Sequence, residues 1–188
     1  MKQTKEFKKK KYDCENKNRI REKIIEELRK RNVYNILTLE SPDFLFSKLL
    51  PDKKIIVFEN KAEVMNKMEK KCPKNVELVF GNIGKFGTIG KKVDMIYLDF
   101  CGTWMTEQEE IVRLNSRLKD TKLFVLTLCM RIPACFNGLK AFNGDYQFDL
   151  LNKIQELTKI NWKVVYGESY YDSVQMVTII LENKDGMS

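Results

Sequence analysis

Residues 93–104 read VDMIYLDFCGTW, an apolar run that ends on Asp99 and then breaks at Gly102. A strand buried in a parallel sheet reads as such a near-continuous apolar run. Ligands of open α/β sheets bind just beyond the carboxyl ends of these strands, and a glycine there lets backbone approach a ligand. The stretch therefore predicts that Asp99 belongs to a functional site. The alternative is that Asp99 caps the following helix, since Asp is a preferred N-cap residue.

Apolar strands and amphipathic helices alternate on both sides of this stretch. Such alternation favours right-handed crossovers and a mostly parallel sheet with helices on both faces. The last two strands are separated only by the segment 167–173 and so predict an antiparallel hairpin. The sequence thus predicts an α/β fold with a seven-stranded, mostly parallel sheet and a C-terminal antiparallel hairpin. The predicted strands are 33–39, 54–58, 76–80, 95–98, 123–129, 162–166 and 174–181.

The helical segments between these strands are recognised by their apolar spacing. A turn at 41–43 is expected to start a short helix that continues over 44–50. Three glycines in 83–92 argue against a full helix there, and 130–145 is predicted to be a loop. The other predicted helices are 18–30, 62–71, 107–118 and 146–158.

The formal net charge is +8, and the basic excess is concentrated near the amino end. Residues 1–17 are predicted to form a basic tail that contains the lysine run 8–11, and residues 18–188 a single domain. A dense basic segment favours a polyanion such as RNA or DNA as partner. The alternative is a solvated tail that only increases solubility.

Composition argues against several kinds of site. The chain has no histidine, and its five cysteines are an odd number without a C-x-x-C pair. A histidine base and a Ser–His or Cys–His nucleophile pair are therefore excluded, and a structural zinc is not expected. We expect reduced thiols and no metal. The first residues lack the apolar core of a signal peptide, and no apolar run reaches the ~20 residues of a membrane span, so an intracellular, cytoplasmic or nuclear protein is expected.

Acidic and amide side chains follow four consecutive predicted strands, in the order Glu40, Glu59, Asn82 and Asp99. With its sheet pattern over about residues 20–183, the chain resembles the class I (Rossmann-like) S-adenosylmethionine-dependent methyltransferase family. The resemblance implies that Glu59 holds the ribose hydroxyls of the cofactor S-adenosylmethionine, because a carboxylate accepts hydrogen bonds from both. It also implies that Asn82 contacts the adenine and that Glu40 reaches the methionine amino group. Asp99 is implied near the methionine end and the substrate, as cofactor contact and catalytic residue.

The chain departs from the family's pattern after the first strand. The family has an acid followed by a glycine loop there, whereas residues 39–44 read LESPDF, with Glu40 but no glycine. Pro42 lacks an N–H, and Phe44 is expected to add bulk where the cofactor lies. The glycine loop is therefore degenerate.

The resemblance leaves the methylated atom open. Amino-methylating DNA enzymes carry Asp/Asn-Pro-Pro-aromatic at the fourth strand, but residues 99–102 read DFCG. Cytosine-C5 enzymes use a cysteine in a Pro-Cys context, which Cys101 lacks. Ribose 2′-O-methyltransferases use a lysine base, but the end of the fifth strand is followed by Met130 and Arg131, and an arginine stays protonated. Arg131 and Glu168, at the ends of predicted strands, are candidates for substrate contact.

Three functions are kept from these observations. The first is a methyltransferase acting on nucleic acid, RNA slightly ahead of DNA, and a methyltransferase acting on small molecules or proteins is the third. Trp104 and Tyr170 fall in or beside predicted strand-end loops and are candidates to stack on a base, or else pack beneath those loops. The alternative is a catalytically degenerate relative that binds nucleic acid or a protein partner, since a fold does not fix a function.

Overall fold

The computed structural model describes residues 15–88, 91–130, 146–172 and 174–185, which form a single sheet with helices on both faces. The helices are α1 (Glu15–Lys30), α2 (Ala62–Glu69), α3 (Trp104–Leu118) and α4 (Tyr146–Thr158). The strands are β1 (Asn35–Thr38), β2 (Lys54–Glu59), β3 (Val76–Phe80), β4 (Met95–Asp99), β5 (Leu123–Cys129), β6 (Trp162–Asp172) and β7 (Val174–Asn183).

The sheet has seven strands in the order β3-β2-β1-β4-β5-β7-β6, which confirms the predicted architecture. The first five strands pair in parallel, whereas β7 pairs antiparallel with both β5 and β6. The chain moves outward from β1 to β3 and then returns to place β4 on the other side of β1. This reversal is a topological switch point, and ligands of open α/β sheets bind at the carboxyl ends of the strands beside it.

Neighbouring residues along each strand point to opposite faces, so the sheet separates two hydrophobic cores. On β1, Ile36 packs into the core beneath α1 and α2, whereas Leu37 packs into the core beneath α3 and α4. The buried face of α1 carries Ile20, Ile24 and Leu28 at helical spacing, with charged residues opposite. Both faces of β1, β4 and β5 are therefore covered, as their continuous apolar sequences predict.

The connection from β1 to β2 corrects the prediction of a helix over 44–50. Only a short 3₁₀ helix forms there, Ser47–Leu49. Phe44 has a φ of 50°, a left-handed conformation that an α-helix does not contain. Its ring is fully buried in the core beneath α1, and this burial offsets the backbone strain. The glycine-containing segment Ile83–Thr88 is also 3₁₀, in agreement with the prediction of no full helix.

The C-terminal hairpin is longer than the sequence predicts. Residues 167–172, expected in a loop, continue β6 and pair with β7 as far as Asp172. Gly167 suggested a turn in the sequence. In the structure its missing side chain leaves space for α4, because a Cβ at this position would lie 2.3 Å from Oε1 of Gln147. The tyrosine-rich segment therefore belongs to an extended strand.

Two helices begin earlier than predicted, α1 at Glu15 and α3 at Trp104. The first part of the predicted tail (residues 1–14) and the predicted loop residues 131–145 lie outside the described residues. None of the helices in the described part of the chain combines the length and apolar character that a bilayer crossing requires.

Candidate functional site

A cavity of about 770 Å³ lies at the carboxyl ends of β1, β2, β3 and β4, beside the switch point. Its walls include one polar side chain from beyond or at the end of each strand, namely Glu40, Glu59, Asn82 and Asp99. The structure thus brings together all of the residues that the sequence assigned to a cofactor.

Hydrogen bonds between the ends of β2 and β3 fix one wall of the cavity. The Gly81 N–H donates to the Glu59 carbonyl oxygen over 2.9 Å, and Asn60 Nδ2 donates to Asn82 Oδ1 over 3.0 Å. The Lys61 N–H donates to Glu59 Oε1 over 2.7 Å. These bonds hold Glu59 and Asn82 side by side at the cavity.

Gly81 turns the chain between β3 and Asn82. Its φ is 142°, a backbone conformation that side-chain-bearing residues rarely adopt. Asn82 was predicted as a site residue, whereas Gly81, whose turn positions it, was not.

Glu40 is largely buried and ties together the loop that follows β1. The Ser47 backbone N–H donates to Glu40 Oε1 over 3.0 Å, and the Ser47 hydroxyl donates to the same oxygen. Glu40 Oε2 is buried without a hydrogen-bond partner in the described part of the chain. Burial raises the pKa of Glu40 to about 7, against the lowering effect of the Ser47 hydrogen bonds.

The loop between Glu40 and Ser47 also corrects an expectation about bulk. Pro42 lines the cavity, as expected, but Phe44 does not. The Phe44 ring packs into the core beneath α1, away from the cavity. The absent glycines therefore leave a cavity whose size is within the usual range of ligand pockets, about 300–1,000 Å³.

Asp99 ends β4 and lies at the cavity together with Tyr97 and Cys101. It is not the cap of α3, because that helix has Thr103 as its N-cap residue. The alternative reading of Asp99 as a helix cap is therefore wrong. Burial, and then the nearby Asp99 carboxylate, raise the pKa of Tyr97 well above its usual value, so this phenol stays neutral.

The first turns of α3 form an acidic wall of the cavity that was not predicted. Glu107 and Glu110 line the cavity, and burial raises the pKa of Glu107. Glu110 Oε2 accepts the Gly84 N–H over 2.8 Å, and its Oε1 accepts from Arg113 over 2.7 Å. Glu107 and Glu110 are three residues apart on the helix that follows Asp99, and this spacing in the sequence could have indicated an acidic face at the site.

Two cations of α1, Lys17 and Arg21, also line the cavity and were not predicted. Arg21 is buried and donates to Asn18 over 2.6 Å. Its charge lowers the pKa of Glu40, in part against the effect of burial.

Of the predicted substrate contacts, Trp104, Glu168 and Tyr170 do not line this cavity. Trp104 is the first residue of α3, not a loop residue, and packs against the core beneath that helix. Tyr170 is buried in β6, and Glu168, also within β6, accepts from Arg19 and from the hydroxyl of Tyr166. The loop positions predicted for Glu168 and Tyr170 are wrong because β6 continues through them. Arg131 lies outside the described residues.

Comparisons with known proteins identify the fold. No protein-family model and no curated protein matches the sequence. Among solved structures, the N-methyltransferase NodS from Bradyrhizobium japonicum WM9, in complex with S-adenosyl-L-homocysteine, is 12% identical with a TM-score of 0.64, over 96% of this chain and 94% of that one. The N-terminal domain of EvdMO1, crystallised with S-adenosyl-L-homocysteine and D-fucose, is 12% identical with a TM-score of 0.61, over 91% and 84%.

A Methanococcus jannaschii fibrillarin, a pre-rRNA processing protein, is 15% identical with a TM-score of 0.56, over 80% of this chain and 66% of that one. At these identities the likeness concerns the fold. The described chain therefore has the Rossmann-like fold of the class I methyltransferases, with the mostly parallel sheet and the antiparallel C-terminal strands that the sequence predicts.

Proposed function

We propose that this protein binds S-adenosylmethionine in the cavity and transfers its methyl group to a nucleic acid. The observation that carries the proposal is the meeting of four polar strand-end residues in one cavity beside the switch point of the sheet. Solved structures with this fold include proteins crystallised with S-adenosyl-L-homocysteine, which supports the assignment of the ligand.

The residues present fit this cofactor. Glu40 Oε2, a buried acceptor without a partner in the described chain, is suited to the ammonium of the methionine moiety. Glu59 has one oxygen engaged by the Lys61 N–H and lies at the cavity, where it is suited to the ribose hydroxyls. Asn82, held beside Glu59 through Asn60, is suited to the adenine.

When bound, S-adenosylmethionine supplies a methyl group on a sulfonium, which is electrophilic without further activation. The task of the protein is then to orient the acceptor and to take up its proton. Asp99 lies at the cavity where a carboxylate can accept the proton of an N–H or O–H acceptor. Tyr97 stays neutral beside it, so the Asp99 carboxylate does not share the site with a phenolate.

Basic charge on α1 and in the residues that precede it supports a polyanionic acceptor. Lys17 and Arg21 of α1 line the cavity, and residues 1–14, which precede this helix, contain six lysines and two acids. Phosphate contacts of this kind position a nucleic acid without reading its sequence. We propose RNA ahead of DNA as the acceptor, because one solved structure of the same fold is that of a pre-rRNA processing protein.

One observation favours a second candidate, a non-catalytic relative that binds nucleic acid or a protein. The connection from β1 to β2 contains no α-helix, and Glu40 Oε1 is engaged by Ser47 within that connection. This connection carries the glycine loop in the family that the sequence resembles. A connection that differs from the family's glycine loop is compatible with a cavity that no longer binds S-adenosylmethionine.

Calorimetric titration separates the two candidates. The full chain is titrated with S-adenosylmethionine and, separately, with S-adenosyl-L-homocysteine. Saturable heat with both supports the proposal, and absence of heat with either at high protein concentration overturns it in favour of the non-catalytic candidate.

A transfer assay then tests the acceptor. Methyl-labelled S-adenosylmethionine is incubated with the protein and with RNA, DNA, a protein extract or a small-molecule extract. Label in RNA or DNA supports the proposal, whereas label only in protein or in small molecules overturns its nucleic-acid part.

A further inference from the structure

One charged residue interrupts the apolar stripe of α1. Ile24 and Leu28 belong to this stripe, and Arg21, one turn before Ile24 on the same face, is also buried, with 9% of its surface exposed. The other charged residue buried in the described ranges, Glu182, forms an ion pair with Arg31. A buried cation loses favourable hydration, so such a departure from the helix pattern is expected where the charge serves a function. Arg21 is therefore a candidate functional residue.

The charge of Arg21 lies at the cavity, near the buried carboxylate of Glu40. Arg21 lines the cavity from α1, and Glu40 lines it from the connection that follows β1. Burial raises the pKa of Glu40, and the charge of Arg21 is among the influences that lower it. Within the described chain, Glu40 Oε1 accepts from Ser47 and Oε2 has no partner, so no hydrogen bond joins Glu40 to Arg21. One cation and one carboxylate therefore face the same cavity.

An α-amino acid matches this pair of charges. Its ammonium and its carboxylate are bonded to one carbon, so a site that binds both needs an anion and a cation close together. The guanidinium of Arg21 carries five N–H donors in a planar fork that fits a carboxylate, and its Nη1 donates to Asn18 over 2.6 Å. Glu40 Oε2 is a buried acceptor suited to an ammonium. S-adenosylmethionine ends in such an α-amino-acid group.

The burial of Glu40 makes this pair sensitive to protons. Because its pKa is raised to about 7, the ligand-free chain holds a proton on Glu40 below neutral pH. An ammonium that contacts the carboxylate favours the charged form and so displaces this proton. The other charged and titratable side chains that line the cavity are Lys17 and Arg21 of α1, Glu59 of β2, Lys61 and Lys67 at α2, Tyr97 and Asp99 of β4, and Glu107 and Glu110 of α3.

We infer that Arg21 and Glu40 together bind the α-amino-acid end of S-adenosylmethionine, Arg21 its carboxylate and Glu40 its ammonium, and that the ammonium displaces a proton from Glu40 on binding. The proton passes to the solvent, and the ammonium keeps its own three protons. The inference rests on the proposed function and deepens it, since it assigns one end of the ligand to a pair of residues and couples its binding to pH.

Calorimetric titration with two ligands tests the inference. S-adenosyl-L-homocysteine has the α-amino-acid end, and 5′-methylthioadenosine lacks it. Each is titrated at about pH 6 and about pH 8, in two buffers of different ionisation enthalpy, whose difference in heat gives the number of protons released. The variants are Glu40→Gln and Arg21→Met. Their matched controls are Glu63→Gln and Arg29→Met, which change exposed residues of α2 and α1.

The proton count tests the role of Glu40. We expect the wild type to release about one proton per S-adenosyl-L-homocysteine at pH 6 and almost none at pH 8, and to bind this ligand about tenfold more tightly at pH 8. 5′-Methylthioadenosine, which has no ammonium, should release no proton and bind equally at both pH values. Glu40→Gln should abolish both the proton release and the pH dependence, whereas Glu63→Gln should behave as the wild type does.

The difference between the two ligands tests the role of Arg21. Arg21→Met should weaken binding of S-adenosyl-L-homocysteine about 10- to 150-fold, the range for loss of a hydrogen bond to a charged group, and leave 5′-methylthioadenosine unaffected. Its melting temperature should not fall, because methionine continues the apolar stripe of α1. Arg29→Met should bind both ligands as the wild type does.

Two kinds of result would overturn the inference. One is binding of S-adenosyl-L-homocysteine by the wild type at pH 6 without proton release. The other is equal affinity of Arg21→Met and the wild type for this ligand, or an equal loss of both ligands in Arg21→Met with a lower melting temperature, which would make Arg21 a structural residue. In these cases the wild type still binds the cofactor product, so the proposed function would stand. Absence of heat with S-adenosyl-L-homocysteine would overturn the inference and the proposed function together.

Discussion

The Glu40 carboxylate accepts two hydrogen bonds from Ser47, seven residues further along, and both reach the same oxygen. The other oxygen is buried without a partner in the described chain. A carboxylate with this environment gains too little from its hydrogen bonds to compensate for the loss of water, and its pKa rises to about 7 from 4.5.

This pKa predicts how stability depends on pH. Between pH 4.5 and about 7 the folded chain holds a proton on Glu40 that the unfolded chain has lost, so the free energy of unfolding falls as pH rises through this window. Glu40→Gln removes the titration. We expect its free energy of unfolding to equal that of the wild type below the window and to exceed it by about 3 kcal/mol above the window.

Urea unfolding of both proteins at several pH values measures the difference, and Glu63→Gln, on the exposed face of α2, serves as the control. A difference that does not change with pH would show that Glu40 keeps an ordinary pKa.

Replacement of Glu59 by alanine should weaken cofactor binding and leave the fold intact. The side chain lies at the cavity and is not part of the hydrophobic core. Its Oε1 accepts a local hydrogen bond from the Lys61 backbone N–H. We expect a loss of roughly 1–3 kcal/mol in the calorimetric binding free energy of S-adenosylmethionine. Glu63→Ala is the matched control, and equal affinities of the two variants would remove Glu59 from the cofactor site.

Asp99→Asn should abolish methyl transfer without lowering the melting temperature. The amide keeps the shape of the side chain but cannot take up a proton, and a positioned base contributes about 10²- to 10⁴-fold to a rate. Turnover with labelled cofactor is compared with Asp120→Asn, an exposed acid just beyond α3. A large fall in melting temperature would mark Asp99 as a structural residue instead.

Removal of residues 1–14 should flatten the salt dependence of nucleic-acid binding. Each phosphate contact that is lost should reduce the slope of log affinity against log salt by about 0.7 on single strands and 0.9 on duplex DNA. Sequence preference should change little, because backbone contacts carry no sequence information. The quadruple variant Lys48→Ala, Lys70→Ala, Lys74→Ala, Lys119→Ala removes four exposed lysines and so matches the loss of net charge in the truncation (six lysines less two acids). An identical slope in the truncated chain would assign the lysines to solubility.

The strands and four of the cavity-lining residues were predictable because a buried parallel strand appears in the sequence as a continuous apolar run, and the polar residue that follows such a run is easily recognised. The connection after β1 was not predictable, because the left-handed Phe44 depends on a tertiary core that accepts its ring. The extension of β6 was missed for a similar reason. Gly167 reads as a turn residue in isolation, and only the close approach of Gln147 explains it as part of a strand.

The position of β7 has a consequence for synthesis on the ribosome. Every residue of β5 is buried, and one of its two edges is paired only by β7, which follows more than forty residues later. At about 5–20 residues per second, the nascent chain presents this apolar, charge-free edge for several seconds before its partner is made. Such an edge is a template for pairing with other chains. The nascent chain is therefore expected to depend on chaperones that bind unfolded chains during that interval. Slower translation of the segment between β5 and β7 should increase its aggregation.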